Sequence, residues 1–146
     1  MKELSFALEV EDGWPPVATE HLWCEDVEGG FVLRSVPFFV HGLAVGDRFA
    51  AELDPVNGCI FEFEMVRSSG HSLVRVLEPD GMNLEPYKHE LLALGCTCEE
   101  FRSFGVNAFD VPAGVEAHAI GEIVDRIDDA GFPIAFPVWR HEPGGA

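Results

Sequence analysis

The residues best able to do chemistry stand in two short runs. Ser68-Ser69-Gly70-His71-Ser72 sets hydroxyls beside an imidazole, the types a nucleophile and its general base require. Neighbouring side chains on a strand point to opposite faces, however, which works against a Ser–His dyad at this spacing. The same run reads as a turn at a strand entrance whose hydroxyls and imidazole answer nearby backbone groups. His71 and Arg75 are four apart on one strand, share a face, and are candidates for a polar binding site. A second imidazole, His41, sits in the connection Pro37-Phe38-Phe39-Val40-His41-Gly42-Leu43 and could approach them in space.

The second run, Cys96-Thr97-Cys98, would place two thiols on one side of a strand, about 6 to 7 Å apart. With His89 or Cys59 these could supply soft ligands, but zinc sites normally carry two Cys or His pairs spaced by two to four residues. The expectation is small core residues, no bound metal and no cofactor. Phosphate loops, dinucleotide fingerprints, His-Glu-x-x-His and Gly-x-Ser-x-Gly are all missing, so no motif names a reaction class. The paired acids Glu25-Asp26, Glu99-Glu100 and Asp128-Asp129 are adjacent rather than convergent and read as solvated faces.

These residues need elements to hold them. Leu4, Phe6, Leu8 and Val10 alternate with other residues as in a half-buried strand, stopped at Gly13-Trp14-Pro15-Pro16. Strands follow at 21–27 and 31–36, turned by Glu28-Gly29-Gly30, then at 48–53 and 59–66 around a turn containing Asn57-Gly58. Within Phe61-Glu62-Phe63-Glu64-Met65 the alternation separates an aromatic face from an acidic one, so Glu62 and Glu64 are expected in water.

From His71 the pattern changes. A strand at 71–77 leads to a helix marked by Leu84, Tyr87, Leu91 and Leu94 and closed by Gly95. Strands at 96–104 and 106–111 follow. A second helix over 115–130 carries Ile120, Ile123, Val124 and Ile127 inward and Asp125, Asp128 and Asp129 outward. The proline-bearing run 132–139 fits only an edge strand, and 141–146 reads as a frayed tail.

The fold class is therefore α+β. A β-rich small barrel or curled sheet over 1–68 precedes a ferredoxin-like split βαβ half (βαββαβ, two helices) over 69–146, the two expected to form one compact unit. A chain of 146 residues with 47% hydrophobic residues and 12 Phe can bury a core without disulfides or metal. No run approaches the roughly 18 apolar residues of a membrane span, and the first residues lack the apolar stretch of a secretory signal. A cytoplasmic protein with reduced thiols is expected.

Twenty-six acidic residues against nine basic ones give a formal charge of -17. Such a field repels phosphate backbones and excludes ordinary nucleic-acid binding, while it speeds encounter with a basic protein.

Four segments in order carry a family resemblance: Leu22-Trp23, Val36-Pro37-Phe38-Phe39, Gly42-Leu43-Ala44-Val45-Gly46-Asp47 and Ser69-Gly70-His71-Ser72-Leu73-Val74-Arg75-Val76. Together they resemble the bacterial family known as domain of unknown function 4265, from Glu20 to Val138. The resemblance implies an intracellular bacterial protein of a kind common in actinobacteria and myxobacteria, and brings no catalytic residues to carry over.

Two function classes follow. The first is a non-catalytic acidic binding protein, an immunity or antitoxin-type inhibitor of a basic toxin or enzyme, with Glu62, Glu64, Asp125, Asp128 and Asp129 on its docking faces. The alternative is a small enzyme or small-ligand-binding domain with a cleft between the halves and His41, His71 and Arg75 near its mouth. The chain is expected as a monomer or as a homodimer joined through Trp139 and the edge strand.

Overall fold

A computed structural model describes residues 1–142. The first sheet has six strands: β1 (Lys2–Ala7), β2 (Thr19–Val27), β3 (Gly30–Leu33), β4 (Arg48–Ala51), β5 (Cys59–Ile60) and β6 (Phe63–Arg67). Their order across the sheet is β5-β1-β2-β3-β4-β6, with β5 parallel to β1 and every other pair antiparallel. The two outermost strands are thus consecutive in the chain, joined by Phe61 and Glu62 alone. A flat six-stranded sheet would hold them about 24 Å apart at normal strand spacing, whereas three residue steps span at most roughly 11 Å. The sheet must curl, and it does so around Phe6, Leu22, Leu33, Leu43, Phe49 and Ile60. Gly30 lets the strands pass this closely, since a Cβ there would stand 2.2 Å from the Phe49 carbonyl oxygen.

The second sheet contains β7 (Ser72–Leu77), β8 (Thr97–Phe101), β9 (Val106–Val111) and β10 (Ile134–Val138) in the order β10-β7-β9-β8, all antiparallel. Helices α1 (Glu85–Ala93) and α2 (Ala117–Asp129) connect them, which is the split βαβ arrangement, with the proline-bearing strand at the edge as expected. Val74, Val76, Phe109 and Val111 face the helices and pack on Leu91, Ile120, Val124 and Ile127. The alternate residues Leu73 and Ala108 face the curled sheet and meet Val36, Ala44 and Val138.

Three expectations need correction. Positions 59–66 are not one strand: the alternation runs on through Phe61 and Glu62, but the chain changes sheet edge there. Phe61 is 60% exposed and Met65 and Val66 are exposed too, so the segment does not divide cleanly into an aromatic inner and an acidic outer face. The strand placed at 96–104 stops at Phe101, where a 3-10 turn over Arg102–Phe104 brings the chain into β9. Of the tail read as frayed from 141, His141 is only 5% exposed, and Arg140 just before it is held by several hydrogen bonds, while 143–146 lie outside the described residues.

Helix α1 has a weaker apolar stripe than its leucine spacing suggested. Leu92 is exposed, and the buried Lys88 pairs with Glu85 and Glu100.

Candidate functional site

Polar side chains gather where the two sheets meet. Asp47 immediately precedes β4 and follows Gly46, which has a φ of +85° in the left-handed region that glycine enters freely. Its carboxylate is 0% exposed, and both oxygens are fully used. Oδ1 accepts from the Ser69 backbone N–H at 2.8 Å and from Arg140 Nη1 at 2.7 Å, and Oδ2 from the Ala44 N–H at 2.9 Å and Arg140 Nη2 at 2.8 Å. The Ser69 hydroxyl lies between the Val45 carbonyl oxygen and Asp47 Oδ1, at 2.7 and 3.0 Å. Burial alone would raise the Asp47 carboxyl, but the Arg140 fork and the donors from Ser69 and Ala44 outweigh it and hold the group below its ordinary value.

The expected turn at Ser68 to Ser72 is part of this cluster. The Ser68 hydroxyl accepts from the Gly70 N–H and that of Ser69 from the His71 N–H. His71 donates through Nδ1 to Asp110 Oδ1 at 2.8 Å, and burial pushes the Asp110 carboxyl up while His71 pulls it back. Ser72 points the other way, as strand geometry requires. Its hydroxyl is buried, accepts from the Arg140 N–H at 2.7 Å and donates to His141 Nδ1, whose Nε2 donates to the Pro112 carbonyl. His71 and Asp110 could hold a proton between them, but the nearby hydroxyls of Ser69 and Ser72 are bound into the fold. The geometry is that of a satisfied polar core at a sheet junction.

A second buried carboxylate orders the apolar connection. Glu20 of β2 accepts from the successive N–H groups of Phe38, Phe39 and Val40 at 2.6, 3.0 and 2.9 Å. Arg75 reaches the same loop, donating to the Phe38 carbonyl at 3.0 Å with its guanidinium 5.8 Å from the Trp14 ring centre. Burial lowers the Arg75 guanidinium below its ordinary value, against the pull of Glu20.

Arg75 lines a cavity of about 560 Å³ beside the curled sheet. Trp14, Phe39, Phe61 and Phe63 provide aromatic walls, and exposed His41 stands at its edge. Of the three residues expected at a junction cleft, His41 and Arg75 share this cavity, while His71 does not line it. Glu62 and Glu64 line a neighbouring open cleft of about 630 Å³ with Leu53 and Asp54. Asp125, Asp128 and Asp129 lie in the other half, exposed on the outer side of α2.

Cys24, Cys96 and Cys98 are free thiols pushed up to about 11, chiefly by burial. Cys96 and Cys98 both pack on the helical core, and among the described residues no group of three His, Cys, Asp or Glu side chains is placed to hold a metal. No helix among them is long and apolar enough to cross a membrane.

Sequence reasoning missed Trp14, Asp110, Arg140 and His141. Trp14 had served only as a strand stop. The other three act through partners distant in the chain, 39 residues for His71–Asp110 and 93 for Asp47–Arg140, and nothing local marks such pairs.

A solved structure of a hypothetical protein from Neisseria gonorrhoeae superimposes on this chain with a TM-score of 0.74, covering 94% of this chain and 96% of that one. At 15% identity the likeness shows the shared fold alone. No curated protein matches the sequence. A family model described as domain of unknown function 4265 matches residues 20–133, a stretch that includes Asp47, Ser69, His71, Arg75 and Asp110. On that match, the chain belongs to the domain of unknown function 4265 family.

Proposed function

We propose that this chain is a non-catalytic binding protein whose acidic surface docks onto a basic protein, in the manner of an immunity or antitoxin-type inhibitor, in the cytoplasm. One contrast carries the reading. The buried carboxylates Asp47, Glu20 and Asp110 each answer a donor within the fold, whereas Glu62, Glu64, Asp125, Asp128 and Asp129 are exposed and make no ion pair among the described residues. A surface of unanswered carboxylates in a chain of charge -17 attracts a basic partner over several ångströms and repels nucleic acid.

Affinity capture from the source cells with the tagged chain, at low and then high salt, tests this. Glu62, Glu64, Asp125, Asp128 and Asp129 would be changed to their amides in a matched bait. The expected result is a basic protein that the native bait retains, salt releases, and the neutralised bait fails to hold. Equal retention by both baits would discard the reading.

The cavity shared by His41 and Arg75 favours the second reading, a small-ligand site at the junction of the halves. A ligand-induced thermal shift that His41→Ala abolishes without unfolding the chain would favour it over the first.

A further inference from the structure

The curled sheet is not closed. Among the described residues neither β5 nor β6 pairs with a further strand on its outer side, but Cys59 of β5 is already bonded to Asp54 and Asn57, which leaves β6, across the Phe61-Glu62 link, as the open edge. The two clefts flank this seam and share Phe61 and Phe63 as a common wall. Glu9, Glu11 and Asp12 line the first, and Glu52, Asp54, Glu62 and Glu64 the second. None of these seven is ion-paired among the described residues. Apolar side chains lie exposed among them: Phe61, Leu53, Val10 and Trp14. A monomer rarely leaves aromatic rings in water beside an unpaired strand edge without a use for them.

Resting on the binding reading above, we infer that the docking surface is this seam rather than α2. Its occupant is an extended basic segment of a partner protein with an apolar side chain between its cations. The order of charges across the site sets the ligand's order. Carboxylates line both clefts, so lysine or arginine side chains of the ligand pair with them. Aromatic rings and the cationic Arg75 line the first cleft as well, so the side chain that enters between the cations is uncharged. The outer edge of β6 offers backbone groups to an extended chain, as in strand addition, while the clefts select alternate side chains.

Fluorescence anisotropy with two labelled peptides of equal charge tests this, one alternating Arg with Leu and one alternating Arg with Ser, at about 50 mM and 150 mM salt, bracketing physiological ionic strength. The Arg–Leu peptide is expected to bind at least about tenfold more tightly, the equivalent of one well-buried apolar contact. Phe61→Ala should remove most of that preference, and Glu62→Lys with Glu64→Lys should weaken both peptides by about tenfold or more. Asp125→Lys, Asp128→Lys and Asp129→Lys together should change binding less than about threefold, a steering effect of distant charge. Circular dichroism of each variant guards against misfolding, and Phe61→Ala and Glu64→Lys read separately keep the test alive if the combined variant is unstable. Loss on reversing α2 that equals or exceeds the loss at the seam would overturn the seam and leave the binding reading standing. No binding of either peptide at either salt would overturn the seam, and the capture experiment with matched baits would still decide the binding reading.

Discussion

The junction and the seam are built from the same residue types and treat them in opposite ways. At the junction Asp47 is dry and each of its oxygens accepts from two or more donors. At the seam Glu62 and Glu64 meet only solvent, beside a phenylalanine that is 60% exposed. A buried carboxylate without partners would be ruinous, so its partners are part of the fold. An exposed one is inexpensive to leave unpaired and remains available to another molecule. Carboxylates stand in both places; what differs is whether the charge has already been answered.

The sharpest test of that difference is Asp47→Ala, which leaves the Arg140 guanidinium without its carboxylate and should lower unfolding stability by about 3–5 kcal/mol in urea titration. A loss under about 1 kcal/mol would mean that water replaces the carboxylate easily, which would make the junction a wet site like the seam. Next comes Leu73→Ala, which opens a hole between the sheets. It should lower stability by about 2–5 kcal/mol and destabilise both halves in a single transition, whereas two separate transitions by tryptophan fluorescence and circular dichroism would show weak coupling.

The pH dependence follows from Asp47. Its folded carboxyl lies below the ordinary value, so the unfolded chain binds the proton more readily. The stability it contributes is complete above about pH 4, near the unfolded carboxylate value, and is lost as pH falls through the lower folded value. Asp110, raised by burial, works the other way and opposes folding less as it protonates. Urea midpoints measured from neutral pH down to about 3 should therefore fall at the acid end, and Asp47→Asn should flatten that fall. Smaller again is the thiol contrast: Cys24, Cys96 and Cys98, pushed up to about 11, should react far more slowly with a disulfide reagent near pH 8 than half-buried Cys59. Smallest of all, lysine substitutions at Asp125, Asp128 and Asp129 should shift stability by no more than about 0.5 kcal/mol each.

Apolar patterning made the ferredoxin-like half legible almost element by element, because α2 buries one face at helical spacing while β7 and β9 are short apolar runs buried on both. The curled half was legible as strands but not as a sheet. Alternation through Cys59 to Val66 is continuous in sequence, and only the pairing of β5 with β1 and of β6 with β4 shows that the chain changes edges there. Asp47 follows Gly46 just before a strand, but its partner could not be read, since Arg140 lies 93 residues on, past the last strand. His41 and Arg75 line one cavity. His71 was grouped with them because it shares a face with Arg75, and in the fold Asp110 holds it away from the cavity.

The Asp47–Arg140 contact also bears on the order in which the molecule can be made. Its members are 93 residues apart, and the arginine follows the last strand. As the chain emerges during synthesis, the strands of the curled sheet are complete while the guanidinium that its buried carboxylate needs is still unmade. Until Arg140 arrives, that carboxylate must stay hydrated or take up a proton, so the inner end of the sheet cannot close over it. The contact therefore acts as a late checkpoint: the first half reaches its final packing only after the second has been translated and docked.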